Sequence, residues 1–211
     1  MTGGHALVVT GGPFPTNQGP LPSADLIIAA DGGADNAAAF GLVVDLVVGD
    51  LDSASSAALA RAKKVERHPE NKDATDLELA LGAAVAAGTT SVTVVGTLGG
   101  RVDHALANLL VAASDRWSKL RIDLRIDGAR VWVVRDHVEV IAQVGDVVSL
   151  LAVGGRATGV TTTGLAWPLA DAKVEPGVGL GLSNRMAAPN AEVVVDDGTL
   201  LVISSAAILS L

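Results

Sequence analysis

The first half of the chain is a series of short, unbroken apolar runs, each closed by glycine or aspartate. Ala6-Leu7-Val8-Val9-Thr10 stops at Gly11-Gly12-Pro13, Leu26-Ile27-Ile28-Ala29-Ala30 at Asp31-Gly32-Gly33, and Leu46-Val47-Val48 at Gly49-Asp50. Runs without polar alternation are the pattern of strands buried on both faces. Between them apolar positions recur at helical spacing: an Ala-rich stretch through Phe40, a segment from Ser55 to about Lys63, and most clearly Thr75 to Ala87. In the last of these, Leu77, Ala80, Leu81, Ala84 and Val85 share a face, and Gly88 stands where a helix stops. Ser91 to Val95 reads as another buried strand, and Val102 to about Asp115 as a helix with Leu106, Leu109 and Leu110 on one side. Strands alternating with helices predict a parallel sheet with helices on both faces.

Beyond Trp117 the periodicity changes. Leu120 to Ile126 alternates apolar and charged residues, as a half-exposed strand does. Asp127-Gly128 and Asp197-Gly198 are hairpin signals. Val131 to Val134, Val138 to Ile141, Val147 to Val153, Val193 to Val195 and Leu200 to Ile203 complete a run of short strands with no helix among them. The expected fold class is therefore α/β: an N-terminal Rossmann-like parallel-sheet domain over residues 1–118, followed by a C-terminal all-β sandwich domain over residues 119–211.

Composition narrows the function classes. Of 211 residues 49% are hydrophobic, enough for a packed core, so disorder is not expected. Aromatics are 2%, with no Tyr, and Ala, Val, Leu and Gly fill the interior instead. The formal net charge of −8 argues against a nucleic-acid surface, which needs a basic stripe. The chain has no Cys, which removes disulfides and thiolate metal sites. The N-terminus lacks the basic and apolar regions of a signal peptide, and no apolar run approaches the ~20 residues of a spanning helix. A cytoplasmic protein with no membrane partner is the expectation.

Chemistry concentrates where apolar runs end. Asp50 and Asp52, two apart at a strand tip, point the same way in an extended backbone and repel unless a cation lies between them. The competing reading is a solvated turn with Asp52 or Ser53 capping the next helix. Asp73-Ala74-Thr75-Asp76-Leu77-Glu78 is a second acidic cluster; Thr75 and Glu78 form a capping box and Asp76 suits the helix N-terminal dipole, but capping does not require both Asp73 and Asp76. Lys72 beside them is either a phosphate contact or a solvated lysine. Gly96 to His104 lies between a strand and a helix, where Gly99 and Gly100 let backbone N–H groups approach an anion and Arg101 can grip phosphate with its fork of donors. Asp103 reads as a helix cap that also holds Arg101, and His104 as a general base or a structural hydrogen-bond partner. Asp31-Gly32 ends another strand, suiting either close approach of a ligand or a tight turn. In the β-rich half, Trp167 near the Thr161–Thr163 and Ser183-Asn184 segments is either core or a platform for a flat ligand.

Taken together these segments resemble the thiamine pyrophosphokinase family. Gly49-Asp50-Leu51-Asp52-Ser53 looks like its Gly-Asp-x-Asp-Ser motif, with Leu51 where Phe is common. Asp73-Ala74-Thr75-Asp76 is similar to its Asp-x-Thr-Asp motif, and Gly99-Gly100-Arg101-Val102-Asp103-His104 to its Gly-Gly-Arg-x-Asp-His stretch. Val160 to Trp167 resembles its thiamine-side strand, and Gly181-Leu182-Ser183-Asn184 its Ser-Asn motif. Five motifs in order are specific where each alone is weak; the Pro-rich 13–22 loop matches none of them.

The resemblance implies an ATP-dependent thiamine diphosphokinase that moves a pyrophosphoryl group from ATP to the thiamine hydroxyl and releases AMP. It implies Mg²⁺ held by Asp50, Asp52, Asp73 and Asp76, with Arg101 and Asp103 completing the phosphate side. Asp31, Gly32, Ser53, Thr75, Gly99, Gly100 and His104 fall on the nucleotide side, and Trp167, Ser183 and Asn184 on the thiamine side. It also implies a homodimer with thiamine at the subunit interface. Asp73 and Asp103 are the candidate bases for the hydroxyl proton. The rival expectations are a pyrophosphokinase for another alcohol, such as a hydroxymethylpterin, and a nucleotide-binding relative without catalysis.

Overall fold

The computed structural model describes residues 3–14, 19–97 and 100–205. It is mixed α/β and divides into two compact units. The first holds the amino-terminal strand together with Leu21–Val111 and Lys119–Asp127; the second holds Ala112–Ser118 and the chain from Gly128 onward.

The first unit is a parallel sheet. Its strands are β1 (Gly4–Thr10), β2 (Leu26–Ala30), β3 (Leu46–Gly49), β4 (Lys64–Arg67), β5 (Thr89–Gly96) and β6 (Arg121–Ile126). They lie in the order β4-β3-β2-β1-β5-β6, and every pairing is parallel. The chain steps outward from β1 to β4, then returns to add β5 on the other side of β1. That reversal opens a crevice at the carboxyl ends of the strands, where open α/β sheets bind ligands. Gly11-Gly12, Asp31-Gly32, Gly49-Asp50 and Thr97 all sit at those ends. Among the described residues four helices connect the strands: α1 (Gly33–Ala39), α2 (Ser56–Leu59), α3 (Asp76–Ala86) and α4 (Val102–Ala112). The sheet core beneath α1 and α2 is aliphatic, with Leu7, Val9, Ala29, Ala37, Val47 and Val95 all at or below 1% exposure.

Local sequence explains the helix boundaries. The Thr75 hydroxyl accepts from the Glu78 N–H at 3.2 Å, and the Glu78 carboxylate accepts from the Thr75 N–H at 2.9 Å. This reciprocal capping box satisfies two otherwise orphaned donors, and a cap of this kind contributes about 1 kcal/mol. Gly33, opening α1, is obligatory for a different reason. A Cβ there would collide with the Val9 carbonyl, so only glycine lets the helix start this close to β1. Asn36, buried one turn on, donates to the Thr10 and Gly12 carbonyls at 3.0 and 3.3 Å and ties α1 to the end of β1.

The second unit is antiparallel. It comprises β7 (Ala129–Val134), β8 (His137–Ile141), β9 (Val147–Thr163), β10 (Ala172–Val174), β11 (Asn184–Arg185), β12 (Asn190–Val194) and β13 (Asp197–Ser204), preceded by a 3-10 turn at Asp115–Trp117. The order is β7-β13-β9-β12-β8, and β9 also pairs with β10 and β11. Val140, Val148, Leu150, Val160, Val193 and Leu200 form its fully buried core.

Three features depart from the periodicity. Strand β6, expected to open the β-rich half, pairs in parallel with β5 and belongs to the first unit, because Leu124, Arg125 and Ile126 are all buried rather than alternating. Strand β4 carries no buried side chain and was invisible to an apolar pattern. Strand β9 continues ten residues past Val153, since its backbone goes on pairing beyond Gly154-Gly155.

Candidate active site

The carboxyl ends of β2 and β3 are level, with Ala30 opposite Val48. The Asp31 N–H extends the pairing by donating to the Val48 carbonyl at 2.8 Å. Asp31 therefore lands beside Gly49-Asp50. Three backbone positions here are unusual: Gly49 at φ 148°, Asp31 at 46° and Leu51 at 65°. Gly49 has no room for a side chain; a Cβ would lie 2.9 Å from the Asp31 Cβ and 3.1 Å from an Asp76 carboxylate oxygen. Leu51 turns into the aliphatic core, and this inward anchor leaves Asp50 and Asp52 together outside. The two carboxylates thus share a side as alternation predicted, but by a left-handed turn rather than an extended strand. Left-handed non-glycine residues cost energy and cluster at functional sites.

Asp31, Asp50 and Asp52 each present a ligand oxygen, and these oxygens lie within 4.8 Å of one another. Asp31 is only 9% exposed, and its Oδ1 is buried without a hydrogen-bond partner. The Asp52 N–H donates weakly to Asp50 at 3.4 Å, and the Ser53 hydroxyl donates to Asp52 at 2.8 Å. Three converging carboxylates with an orphaned buried oxygen can hold a hard divalent cation, whose preferred donors are oxygens. Lys72 joins this group to the next helix. Its ammonium lies 3.2 Å from Asp50 Oδ2 and 3.1 Å from Asp76 Oδ1.

The charges respond to this arrangement. The Lys72 ammonium, donating to Asp50, holds that carboxyl below its ordinary range. Burial pushes the Asp76 carboxyl up, outweighing Lys72, and the nearby Asp50 and Asp31 charges add to the rise. Lys72 itself is disfavoured by burial, yet Asp76 and Asp50 more than compensate and keep it firmly charged.

The other expected residues are distributed as follows. Asp73 is exposed and does not join the group of three; Asp31, assigned from sequence to the nucleotide side, does. Thr75 spends its hydroxyl on the helix cap. Gly32 packs against Ser53, so the two loops touch. Arg101 and Asp103 close on each other as a fork, at 2.6 and 3.2 Å, and both are exposed. That pairing pulls the Asp103 carboxyl down to about 2, which makes it a poor proton acceptor near neutral pH. Gly100 lies beside Pro13, and His104 is exposed at the start of α4. Gly99 lies outside the described residues.

In the second unit, Asn184 is buried and engaged through both its amide oxygen and its amide nitrogen. Its amide accepts from the Trp167 N–H at 3.1 Å and the Arg185 N–H at 2.8 Å, and donates to the Trp167 carbonyl at 2.7 Å. It grips the Trp167 backbone as a strand neighbour would. Trp167 is consequently held with its indole 60% exposed, an open face for a flat ring. Ser183 sits in a left-handed turn at φ 57°, fixed by its N–H donating to the Ser149 hydroxyl at 3.0 Å. Sequence reasoning did not single out Asn36, which anchors the β1 loop; a lone polar residue in an Ala-rich helix was its one signal.

Comparison with known proteins places this architecture. A parallel-sheet unit with an acidic site at its strand ends is followed in the chain by an antiparallel unit that presents an exposed Trp167. Residues 20–124 match the family model described as thiamin pyrophosphokinase, catalytic domain, and residues 137–200 match thiamin pyrophosphokinase, vitamin B1 binding domain. The chain belongs to the thiamin pyrophosphokinase family, and it is a transferase that makes thiamine diphosphate. The fold is shared with solved structures. Thiamine pyrophosphokinase from Bacillus subtilis superposes with a TM-score of 0.81 at 23% identity, covering 96% of this chain and 99% of that one. A thiamin pyrophosphokinase family protein from Enterococcus faecalis gives 0.79 at 24%, covering 95% and 98%. Thiamin pyrophosphokinase from Candida albicans gives 0.70 at 14%, covering 95% and 89%. A comparison with curated protein sequences finds no match. Among the described residues no helix is long and apolar enough to cross a membrane.

Proposed function

We propose that the first unit is the Rossmann-like ATP-binding domain and the second the thiamine-binding β-sandwich, and that the acidic site at the ends of β2 and β3 holds Mg²⁺ with the triphosphate of ATP. The observation that carries the metal assignment is the Asp31 oxygen, buried without a partner among carboxylates within 4.8 Å. Asp31, Asp50 and Asp52 are the holding residues, with Asp76 reached through Lys72 and Asp73 at the rim. When bound, Mg²⁺ supplies charge neutralisation on the triphosphate.

The chain's own part is positioning. The left-handed turns at Asp31 and Leu51 fix the carboxylates, and Arg101 stands exposed with its donors aimed at Asp103, ready to trade that partner for phosphate. Trp167, held by Asn184, offers its indole to the thiamine rings, and the Ser183 turn lies next to that clamp. In the reaction the thiamine hydroxyl oxygen bonds to the β-phosphorus, the bond from that phosphorus to the AMP oxygen breaks, and the hydroxyl proton passes to a base. Of the two candidate bases, Asp103 is weakened by its fork with Arg101, and Asp73 is exposed and outside that fork. The homodimer belongs to the same reading and is supported by open apolar faces: Trp167, and on α4 Val102, Leu106 and Leu110 at 78%, 56% and 50% exposure.

The test is AMP release by the purified chain with ATP and Mg²⁺, with and without a chelator. AMP formation that needs thiamine and is lost on chelation supports the reading. Metal-independent turnover refutes the metal site, and turnover with a hydroxymethylpterin but not with thiamine refutes the acceptor assignment.

A further inference from the structure

Lys72 is placed more exactingly than a phosphate contact requires. It stands four residues before Asp76, just ahead of α3, and its side chain is 14% exposed. Its ammonium bridges Asp50, a member of the group of three, to Asp76, which is not a member. Asp50 and Asp76 thereby share one ammonium, and Asp50 in turn crowds Asp31 and Asp52. The neighbouring Arg67 takes the Asp50 carbonyl oxygen, at 2.6 Å, not a carboxylate. Lys72 thus supplies positive charge to Asp50, the carboxylate that the group of three shares with it.

An ammonium and a divalent cation on the same Asp50 carboxylate repel each other, so an incoming metal favours displacement of Lys72. Displacement by bare metal leaves a largely buried ammonium with one carboxylate fewer. Displacement by metal carrying a polyphosphate gives the ammonium new anionic oxygens within reach. Resting on the reading of this site as one for Mg²⁺–ATP, we propose that Lys72 is a tethered counter-cation. It occupies the acidic site while no metal is bound, and it transfers to the nucleotide phosphates when the metal–nucleotide complex enters. The site then discriminates against bare metal and favours metal that arrives with nucleotide.

The proposal predicts opposite signs for two binding measurements. Free Mn²⁺, followed by its electron paramagnetic resonance signal, binds Lys72→Met about tenfold more tightly than the native chain, the scale expected for removing one competing charge. A non-hydrolysable ATP analogue with Mn²⁺ binds the same variant about tenfold more weakly. Lys72→Arg keeps both affinities near native, and Lys72→Gln repeats the Met result with a polar side chain should Met unfold the chain. Free Mn²⁺ binding that is unchanged or weaker in Met and Gln overturns the proposal, as does unchanged nucleotide binding. Asp52→Asn separates this failure from a deeper one. If the native chain binds Mn²⁺ and Asp52→Asn does not, the metal site stands even where the Lys72 variants behave as native. If neither the native chain nor any variant binds Mn²⁺, the metal-site reading and the counter-cation fall together.

Discussion

The two ends of the parallel sheet use the same residue type in opposite ways. At the amino end, Asp25 accepts the His5 N–H at 2.9 Å, while Asp45 accepts the Ile27 N–H at 2.8 Å and the Lys63 ammonium at 2.6 Å. Each carboxylate there closes a gap between neighbouring strands. At the carboxyl end, Asp31, Asp50 and Asp52 crowd one another, and Asp31 keeps an oxygen that no donor meets. Carboxylates that are matched one by one hold strands together. Carboxylates in excess of their donors weaken the fold and are retained for something outside the chain. The turn around Trp167 follows the amino-end pattern, since the Asn184 amide is matched on both its donor and acceptor sides.

The contrast breaks first at Asp52. Asp52→Asn should lower kcat/KM for AMP release by about a thousandfold, the scale of losing an electrostatic group in phosphoryl-type transfer. The same variant should melt no lower than the native chain without metal, because it relieves repulsion. Near-normal turnover, or a marked fall in Tm, would make Asp52 another staple. Asn184→Ala is the converse case. It removes three partly buried hydrogen bonds to backbone groups, so stability measured in urea should fall by about 1–3 kcal/mol. Trp167→Ala separates presentation from packing: KM for thiamine should rise about tenfold, while stability stays within about 0.5 kcal/mol because the indole is exposed.

The smallest effect sharpens the amino end. At Asp45 burial opposes the charge, but the Lys63 ammonium and Ile27 N–H outweigh it and the pKa is lowered. A depressed carboxyl pKa stabilises the fold above the unfolded value, about 3.9, and that contribution disappears as pH falls through the folded value. Asp45→Asn should therefore melt slightly below the native chain at pH 7, with the gap closing below about pH 4. A gap that persists into acid would mean that shape, not charge, matters at Asp45.

Much of this was readable in the sequence. Strands β2 and β3 are unbroken apolar runs, β1 and β5 are buried over most of their length, and α3 carries its own cap, so burial and local hydrogen bonding agree at these elements. Strand β4 escaped because an edge strand of Lys64, Val65, Glu66 and Arg67 buries nothing; its charges serve to deter further pairing. The place of Asp31 escaped for another reason. Its membership of the acidic site depends on the register of β2 against β3, a relation between segments that neither segment encodes alone. The double pairing of Lys72 likewise depends on the path from β4 to α3. Helix α4 was legible as a helix with Leu106, Leu109 and Leu110 on one side, and of these Leu106 and Leu110 are exposed. Periodicity reveals that an apolar stripe exists and is silent about what covers it.

Strand β9 has a consequence for how the second unit is made. Its first half pairs with β11 and β13 and its second half with β10 and β12. β11, β12 and β13 are synthesised long after β9 itself. Such distant pairings must close large loops before any contact compensates for the lost freedom, which slows folding. The first unit, by contrast, can build β1 to β4 from adjacent segments. Emerging from the ribosome, the chain would have strands β1 to β4 of its parallel sheet assembled while β9 still waited for β12 and β13, a long strand needing protection until its partners arrive.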